Sequence, residues 1–127
     1  MPPFVPQPHS WVRKFRHAGR GMAHAFRTQR SFWVHLPVAV AVLIGAALHG
    51  VSQVEWAILI VCIAMVLSAE LFNSALEHLS QAITEDENEH IRNALDVASG
   101  AVLVVSIGAL AVGSLLLLTK LAAALGF

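Results

Sequence analysis

The stretch VASGAVLVVSIGALAVGSLLLLT, residues 97–119, contains no charged side chain and decides the class of fold. At about 1.5 Å of rise per residue, a helix of this length crosses the roughly 30 Å hydrocarbon core of a bilayer. The whole chain agrees with this, because 57% of its 127 residues are hydrophobic and only 13% are charged. A soluble domain of this size buries too little surface to hide so much apolar area. The sequence therefore predicts an integral membrane protein and excludes a soluble enzyme.

Two further apolar segments precede this stretch. Residues 32–48 form the first, interrupted by His35 and Pro37, and residues 56–69 form the second, which has no charge. A short polar turn, residues 50–53, separates them, and an acidic loop follows the second. The pattern predicts an all-α membrane protein with three transmembrane helices.

An amphipathic segment lies ahead of the first span. Its apolar residues recur at steps of three and four and are Trp11, Phe15, Ala18, Met22 and Phe26. Basic side chains fall mostly between them, which is typical of a helix on an anionic membrane surface. The alternative is a solvated helix that packs on its own protein, and the two do not exclude each other. Residues 1–9 have prolines at positions 2, 3, 6 and 8 and predict a flexible tail, so that residues 10–127 form one membrane domain.

The basic residues predict the orientation of the chain. Six lysine and arginine residues precede the first span, and none lies in the first loop. The positive-inside rule then places the N-terminus in the cytoplasm, returns the acidic loop to that side and leaves Phe127 outside. The formal net charge is zero, so we expect no nucleic-acid partner.

A polar stripe lies at the inner end of the second span. Glu70, Asn73, Ser74 and Glu77 stand at i, i+3, i+4 and i+7, so they share one helical face. An ionisable side chain within a span costs about 3 kcal/mol on insertion scales and indicates function. Hydrogen bonding between packed helices would explain Asn73 or Ser74 alone. It does not explain two like charges on one face.

A second polar cluster begins the third span, at Arg92, Asn93, Asp96, Ser99 and Gly100. Arg92 and Asp96 are four residues apart and are able to pair on one helix face. Alternatively, Asp96 and Ser99 face the stripe at the same depth and form a carboxylate-rich pocket that opens to the cytoplasm. Carboxylates without cysteines suit a hard cation such as Mg²⁺, which usually arrives with nucleotide phosphates.

The segment ELFNSALE, residues 70–77, resembles the prokaryotic diacylglycerol kinase and undecaprenol kinase family. That family carries E-x-x-N-[ST]-A-[IVL]-E in its second span. Residues 96–103, DVASGAVL, are similar to the family's K-D-x-x-[AS]-[AG]-A-V-L, and residues 15–21 and 27–36 resemble its amphipathic helix and the start of its first span. The resemblance covers the chain from Trp11 to about Leu118.

The resemblance implies a homotrimer of three-span subunits in the inner membrane of a prokaryote, with composite active sites at the cytoplasmic interface. ATP with Mg²⁺ would phosphorylate a lipid hydroxyl, and undecaprenol is favoured over diacylglycerol. Glu70 would be the general base and Glu77 the Mg²⁺ ligand. The resemblance also implies that Asn73 and Asp96 are catalytic residues that contact the nucleotide. Gln29 would bind the nucleotide and the metal ion, and Ser99 would contact the lipid substrate beside Glu70.

Two positions depart from the family. Gln29 stands where the family often has Glu, and its neutral carbonyl oxygen leaves metal binding more dependent on Glu77 and the phosphates. Leu95 stands where the family commonly has Lys. Our hypothesis is that Arg92, one turn earlier, supplies the missing cation to the nucleotide, because a guanidinium group suits phosphate oxygens.

Two other functions stay open from the sequence. A catalytically weak or inactive trimeric homologue would bind nucleotide or lipid without turnover, in keeping with Gln29 and Leu95. A small ion or proton pathway built on Glu70 is the other. It is less favoured, because three short spans leave little room for alternating access and no broken helix is indicated.

Overall fold

A computed structural model of the chain describes residues 1–6 and 10–127. Four helices follow one another: α1 (Trp11–Thr28), α2 (Phe32–His49), α3 (Gln53–Ile83) and α4 (Glu89–Ala124). The described residues include no strand. Helices α2, α3 and α4 are each long and apolar enough to cross a membrane. The predicted fold, an amphipathic N-terminal helix followed by three transmembrane helices, is confirmed.

The N-terminal region precedes the bundle. Residues 1–6 are exposed and have no regular secondary structure. Residues 7–9 of the predicted tail lie outside the described residues, and the flexibility of the tail stays a prediction. In α1 only Ala25 is buried, while large apolar side chains such as Trp11 and Phe15 are exposed. This leaves the apolar face of α1 available to a bilayer surface.

The turn between α2 and α3 is tight and well specified. Gly50 ends α2 with a φ of 62°, in the left-handed region that favours glycine. Ser52 and Glu55 then form a capping box at the start of α3. The Ser52 hydroxyl accepts from the Glu55 amide at 3.2 Å, and the Glu55 carboxylate accepts from the Ser52 amide at 2.7 Å. Because the turn between them is so short, α2 and α3 are antiparallel neighbours.

Helix α3 is longer than its apolar segment. Its 31 residues correspond to about 46 Å, well beyond the roughly 30 Å of a hydrocarbon core. Helix α4, with 36 residues, is longer still. The inner ends of both helices, joined by the short acidic loop, therefore extend out of the apolar layer. This extension carries the polar stripe beyond the apolar segment of α3, toward the loop that joins α3 and α4.

The core of a single chain is small. Ala46, Val51 and Leu59 form its centre, and Val42 and Trp56 pack against them. Helix α4 packs mainly against α3 and has no buried residue. At the same end of the molecule as the α2–α3 turn, Lys120 of α4 forms an ion pair with Glu55 at 3.2 Å. Most large apolar side chains are exposed, as expected of surfaces that contact lipid or another subunit.

Candidate active site

The centre of the candidate site is Glu70 on α3, which is only 4% exposed. Its two carboxylate oxygens have different partners at the start of α2, namely Ser31 just before the helix and His35 within it. The Ser31 hydroxyl donates to Oε2 at 2.8 Å, and Nε2 of His35 lies 3.1 Å from Oε1. A buried carboxylate without partners would be strongly unfavourable, whereas hydrogen bonds to an ionised acceptor are among the stronger ones. The hydrogen bonds from Ser31 and His35 therefore offset part of the free-energy cost of burying the Glu70 carboxylate.

The α1–α2 turn places these partners. Ser31 and His35 are one helical turn apart, and the His35 amide donates to the Ser31 carbonyl at 3.0 Å. Phe32 between them is fully buried, and its ring packs edge to face on Phe26 of α1, with centroids 4.8 Å apart. With Phe32 fixed, the face of α2 that carries Ser31 and His35 is directed at α3.

The second acidic residue of the stripe has a more open position. Glu77 is half-buried, and its Oε1 accepts from Nδ2 of Asn73 at 3.0 Å. Among the described residues, Oδ1 of Asn73 and Oγ of Ser74 are buried and have no hydrogen-bond partner. One turn of α3 thus offers a carboxylate and an unused amide oxygen. Hard oxygen donors of this kind suit Mg²⁺, which needs few protein ligands when phosphates supply the others.

Helix α1 approaches α3 next to Glu77. The rings of His24 and His78 lie with centroids 5.2 Å apart, and His78 directly follows Glu77. Gln29 is half-buried and directly follows α1 as its C-cap, and its backbone amide donates to the Ala25 carbonyl at 2.9 Å. In the part of the chain that the structure describes, no hydrogen bond joins its side chain to Glu77.

The predicted residues of α4 are placed differently. Arg92, Asp96 and Ser99 are exposed, and neither a hydrogen bond nor an ion pair among residues 1–6 and 10–127 connects them to Glu70 or Glu77. The alternative ion pair between Arg92 and Asp96 is not formed in those residues either. The same residues contain no group of three His, Cys, Asp or Glu side chains able to hold a metal ion. The roles of these α4 residues stay predictions.

Comparison with known proteins identifies the family. Residues 16–117 match the family described as prokaryotic diacylglycerol kinase. The chain belongs to this family. An undecaprenol kinase from Bacillus subtilis is 39% identical over 111 residues, which cover 87% of this chain and 90% of that protein. A diacylglycerol kinase from Synechocystis is 38% identical over 108 residues, 84% of this chain and 62% of that protein. The predicted family and enzyme class, a lipid kinase, are confirmed.

A cavity of this kinase-family chain is lined in part by His35, the residue that contacts Glu70, while Glu70 itself does not line it. It has a volume of about 390 Å³ and lies among α2, α3 and α4, with His35 and Leu67 at its inner end and Leu59 and Leu117 toward its outer end. Its walls are mostly apolar. Because His35 both lines the cavity and contacts Glu70, the carboxylate lies where an apolar compartment meets the polar stripe.

The contribution of α2 to the site was missed by the sequence analysis. Ser31 and His35 belong to the segment 27–36 that resembles the start of the family's first span, but the sequence predicts no role for either at the site. A signal was present, because Ser31 and His35 are four residues apart at the inner end of one span. Glu70 lies at the inner end of the next, antiparallel span, so depth alone places the three at one level.

Proposed function

We propose that the protein transfers the γ-phosphoryl group of ATP to the hydroxyl of a membrane lipid alcohol, with undecaprenol favoured and diacylglycerol next. The observation that carries the proposal is Glu70, a buried carboxylate with a hydrogen-bond partner at each oxygen, one of which, His35, lines an apolar cavity. The preference for undecaprenol rests on the relative from Bacillus subtilis, 90% of whose length is covered.

Glu70 acts as the general base. Each carboxylate oxygen has about two lone-pair positions, and Ser31 and His35 occupy one on each oxygen. The remaining positions accept the hydroxyl proton of the lipid. The alcohol oxygen then bonds to the γ-phosphorus, the bond from that phosphorus to the bridging oxygen breaks, and its electron pair leaves with ADP. The proton held by Glu70 passes to water.

The position of Glu70 suits a substrate with an apolar tail. The polar stripe begins where the uncharged segment 56–69 ends, so a hydroxyl at this depth belongs to a molecule that stays in the bilayer. The cavity beside His35 offers mostly apolar walls to the first part of its chain. Phosphoryl transfer depends mainly on positioning and charge neutralisation, and a buried site assists both.

The nucleotide belongs on the cytoplasmic side of Glu70. Glu77 and the unused Oδ1 of Asn73 would hold Mg²⁺, with Gln29 as a further oxygen donor, and the bound ion would neutralise charge on the phosphates. Asp96 lies about two turns from the start of α4, and Glu77 lies about two turns from the end of α3. The antiparallel pair therefore brings both acidic residues to one level.

The exposed position of Arg92, Asp96 and Ser99 supports a composite site in a homotrimer. Helix α4 buries no residue within one chain, so a neighbouring copy is able to cover it. In such an assembly Arg92 and Asp96 contact the nucleotide and Ser99 lies at the lipid. The six basic residues ahead of the first span favour a cytoplasmic position for these groups, and the inner membrane of a prokaryote is proposed from the family.

The test is a kinase assay in mixed micelles with radiolabelled ATP, Mg²⁺ and a panel of undecaprenol, diacylglycerol and other lipid alcohols. We expect transfer to undecaprenol, and a loss of about 100- to 10,000-fold in kcat in Glu70→Gln. Glu55→Gln is the matched control, because Glu55 is at the opposite end of α3. Nucleotide binding without transfer to any lipid would overturn the proposal in favour of the non-catalytic homologue.

A further inference from the structure

We infer that His35 is a positioning residue for Glu70, so that the imidazole fixes the direction from which the carboxylate takes the lipid proton. This inference rests on the proposed function, in which Glu70 is the base. It concerns a residue that the family motif of α3 does not include. The pair joins two spans and is separated by 35 positions in the sequence.

The first argument is geometric. The last torsion of a glutamate side chain is broad, so a carboxylate without anchors turns freely. Ser31 contacts Oε2 at 2.8 Å and His35 contacts Oε1 at 3.1 Å. Two anchors on different oxygens, projected from one turn of α2, fix the plane of the carboxylate. If Ser31 were the single partner, the carboxylate would still rotate about that hydrogen bond.

The second argument concerns the chemistry of the donor. An ionised carboxylate only accepts hydrogen bonds, so Nε2 of His35 carries the hydrogen in this contact. The tautomer with this hydrogen is sufficient for the contact, which does not need a positive charge on the ring.

The third argument is the position of the ring. His35 is among the residues that line the cavity of about 390 Å³, and the same side chain contacts Glu70. Its side chain is 24% exposed, whereas that of Glu70 is 6% exposed. A lipid chain in the cavity contacts the same ring that orients the base. His35 thereby aligns the hydroxyl and the carboxylate with each other.

The experiment compares three variants in the lipid kinase assay. His35→Leu fills similar space without a donor, and His35→Gln keeps an N–H donor of similar reach. His49→Leu is the matched control, because His49 lies on the same helix as His35. Its Nδ1 donates to the carbonyl of Gly45, one turn earlier in that helix, at 2.7 Å. We expect His35→Leu to lose about 10- to 100-fold in kcat with an unchanged KM for ATP. His35→Gln should recover most of kcat, and His49→Leu should retain it.

Two results would overturn the inference. One is a normal kcat in His35→Leu. The other is a kcat in His35→Gln as low as that in His35→Leu, which would mean that the hydrogen-bond donor at this position is not important. If His35→Leu does not fold by circular dichroism and size exclusion, His35→Asn replaces it. Its shorter side chain cannot reach Glu70, so its kcat must fall below that of His35→Gln.

A measurement without turnover separates this inference from the proposed function. The ¹³C carboxyl resonance of Glu70, assigned with Glu70→Gln, should shift in His35→Leu and stay in place in His49→Leu. A wild-type protein that phosphorylates no lipid would contradict the proposed function, while this shift would still support positioning by His35. An unchanged resonance would contradict the positioning role even in an active kinase.

Discussion

The Ser31 hydroxyl donates to Glu70 across the interface of α2 and α3, at a distance of 2.8 Å between Oγ and Oε2. The two residues are separated by 39 positions and meet at the inner end of two antiparallel spans. Glu70 is buried, so this neutral donor substitutes for water that the carboxylate has lost. The contact therefore contributes both to the stability of the bundle and to the orientation of Glu70.

Ser31→Ala should destabilise the protein by about 1–3 kcal/mol, because it leaves one oxygen of a buried carboxylate without its donor. The measurement is unfolding by sodium dodecyl sulfate in mixed micelles, followed by circular dichroism. Ser31→Thr keeps the hydroxyl and serves as the control. A Ser31→Ala protein as stable as the wild type would mean that the contact contributes nothing to stability.

Phe32→Ala should cost about 3–5 kcal/mol, the usual range for removing a large buried aromatic side chain. Phe32 is fully buried and packs on Phe26, so its loss also loosens α1 from α2. The same detergent titration measures the loss, and protease sensitivity within α1 reports the loosening. Trp33→Ala is the matched control, since Trp33 is the next residue and is exposed. Equal losses in the two variants would contradict this account.

The helices could be predicted closely from the sequence. The apolar segments 32–48 and 97–119 lie within α2 and α4, because hydropathy over a span reflects a bilayer that the chain itself does not need to specify. Helix α3 continues through the polar stripe to Ile83, as the spacing of Glu70, Asn73 and Glu77 indicated. Periodicity along one helix is local information, and the position of the polar stripe on one face of α3 could therefore be predicted from the sequence.

The partners of Glu70 could not be predicted in the same way. The contacts with Ser31 and His35 depend on the rotation of α2 about its axis, which Phe32 and Phe26 determine by packing. Rotation of this kind leaves no signature in hydropathy. The predicted α4 residues are exposed in the described part of one chain, and under the proposed homotrimer they would complete an interface between copies.

Lys120→Ala should change stability by at most about 1 kcal/mol, despite the ion pair with Glu55 at 3.2 Å. Both side chains keep partial access to solvent, and ion pairs of this kind contribute little. The small effect should decrease further as salt is raised from low to high concentration in the unfolding titration. Kinase activity should be unaffected, because the pair lies at the end of the bundle opposite to Glu77. A loss of activity would show that the outer end of the bundle influences the site.

Gln29→Glu should lower the Mg²⁺ concentration that gives half-maximal activity by about two- to fivefold, the effect of one partly exposed charge. The added carboxylate lies at the end of α1, on the side of the bundle where His24 meets His78 next to Glu77. A magnesium titration of the lipid kinase assay measures the change. Thr28→Glu is the control, because it adds the same charge at the neighbouring, exposed residue of α1. If both variants respond equally, general electrostatics and not Gln29 would explain the result.

Arg92→Ala should raise the KM for ATP more than it lowers kcat, if Arg92 replaces the cation that the family commonly has at position 95. Arg92 is exposed on the first turns of α4, so its removal leaves the packing of one chain intact. Arg92→Lys keeps a charge but loses the planar fork that suits phosphate oxygens, and it should recover the KM only in part. Arg13→Ala, on exposed α1, is the matched control for loss of positive charge. An unchanged KM in Arg92→Ala would remove Arg92 from the nucleotide site, and Leu95→Lys would then be the variant to test for a gain in ATP affinity.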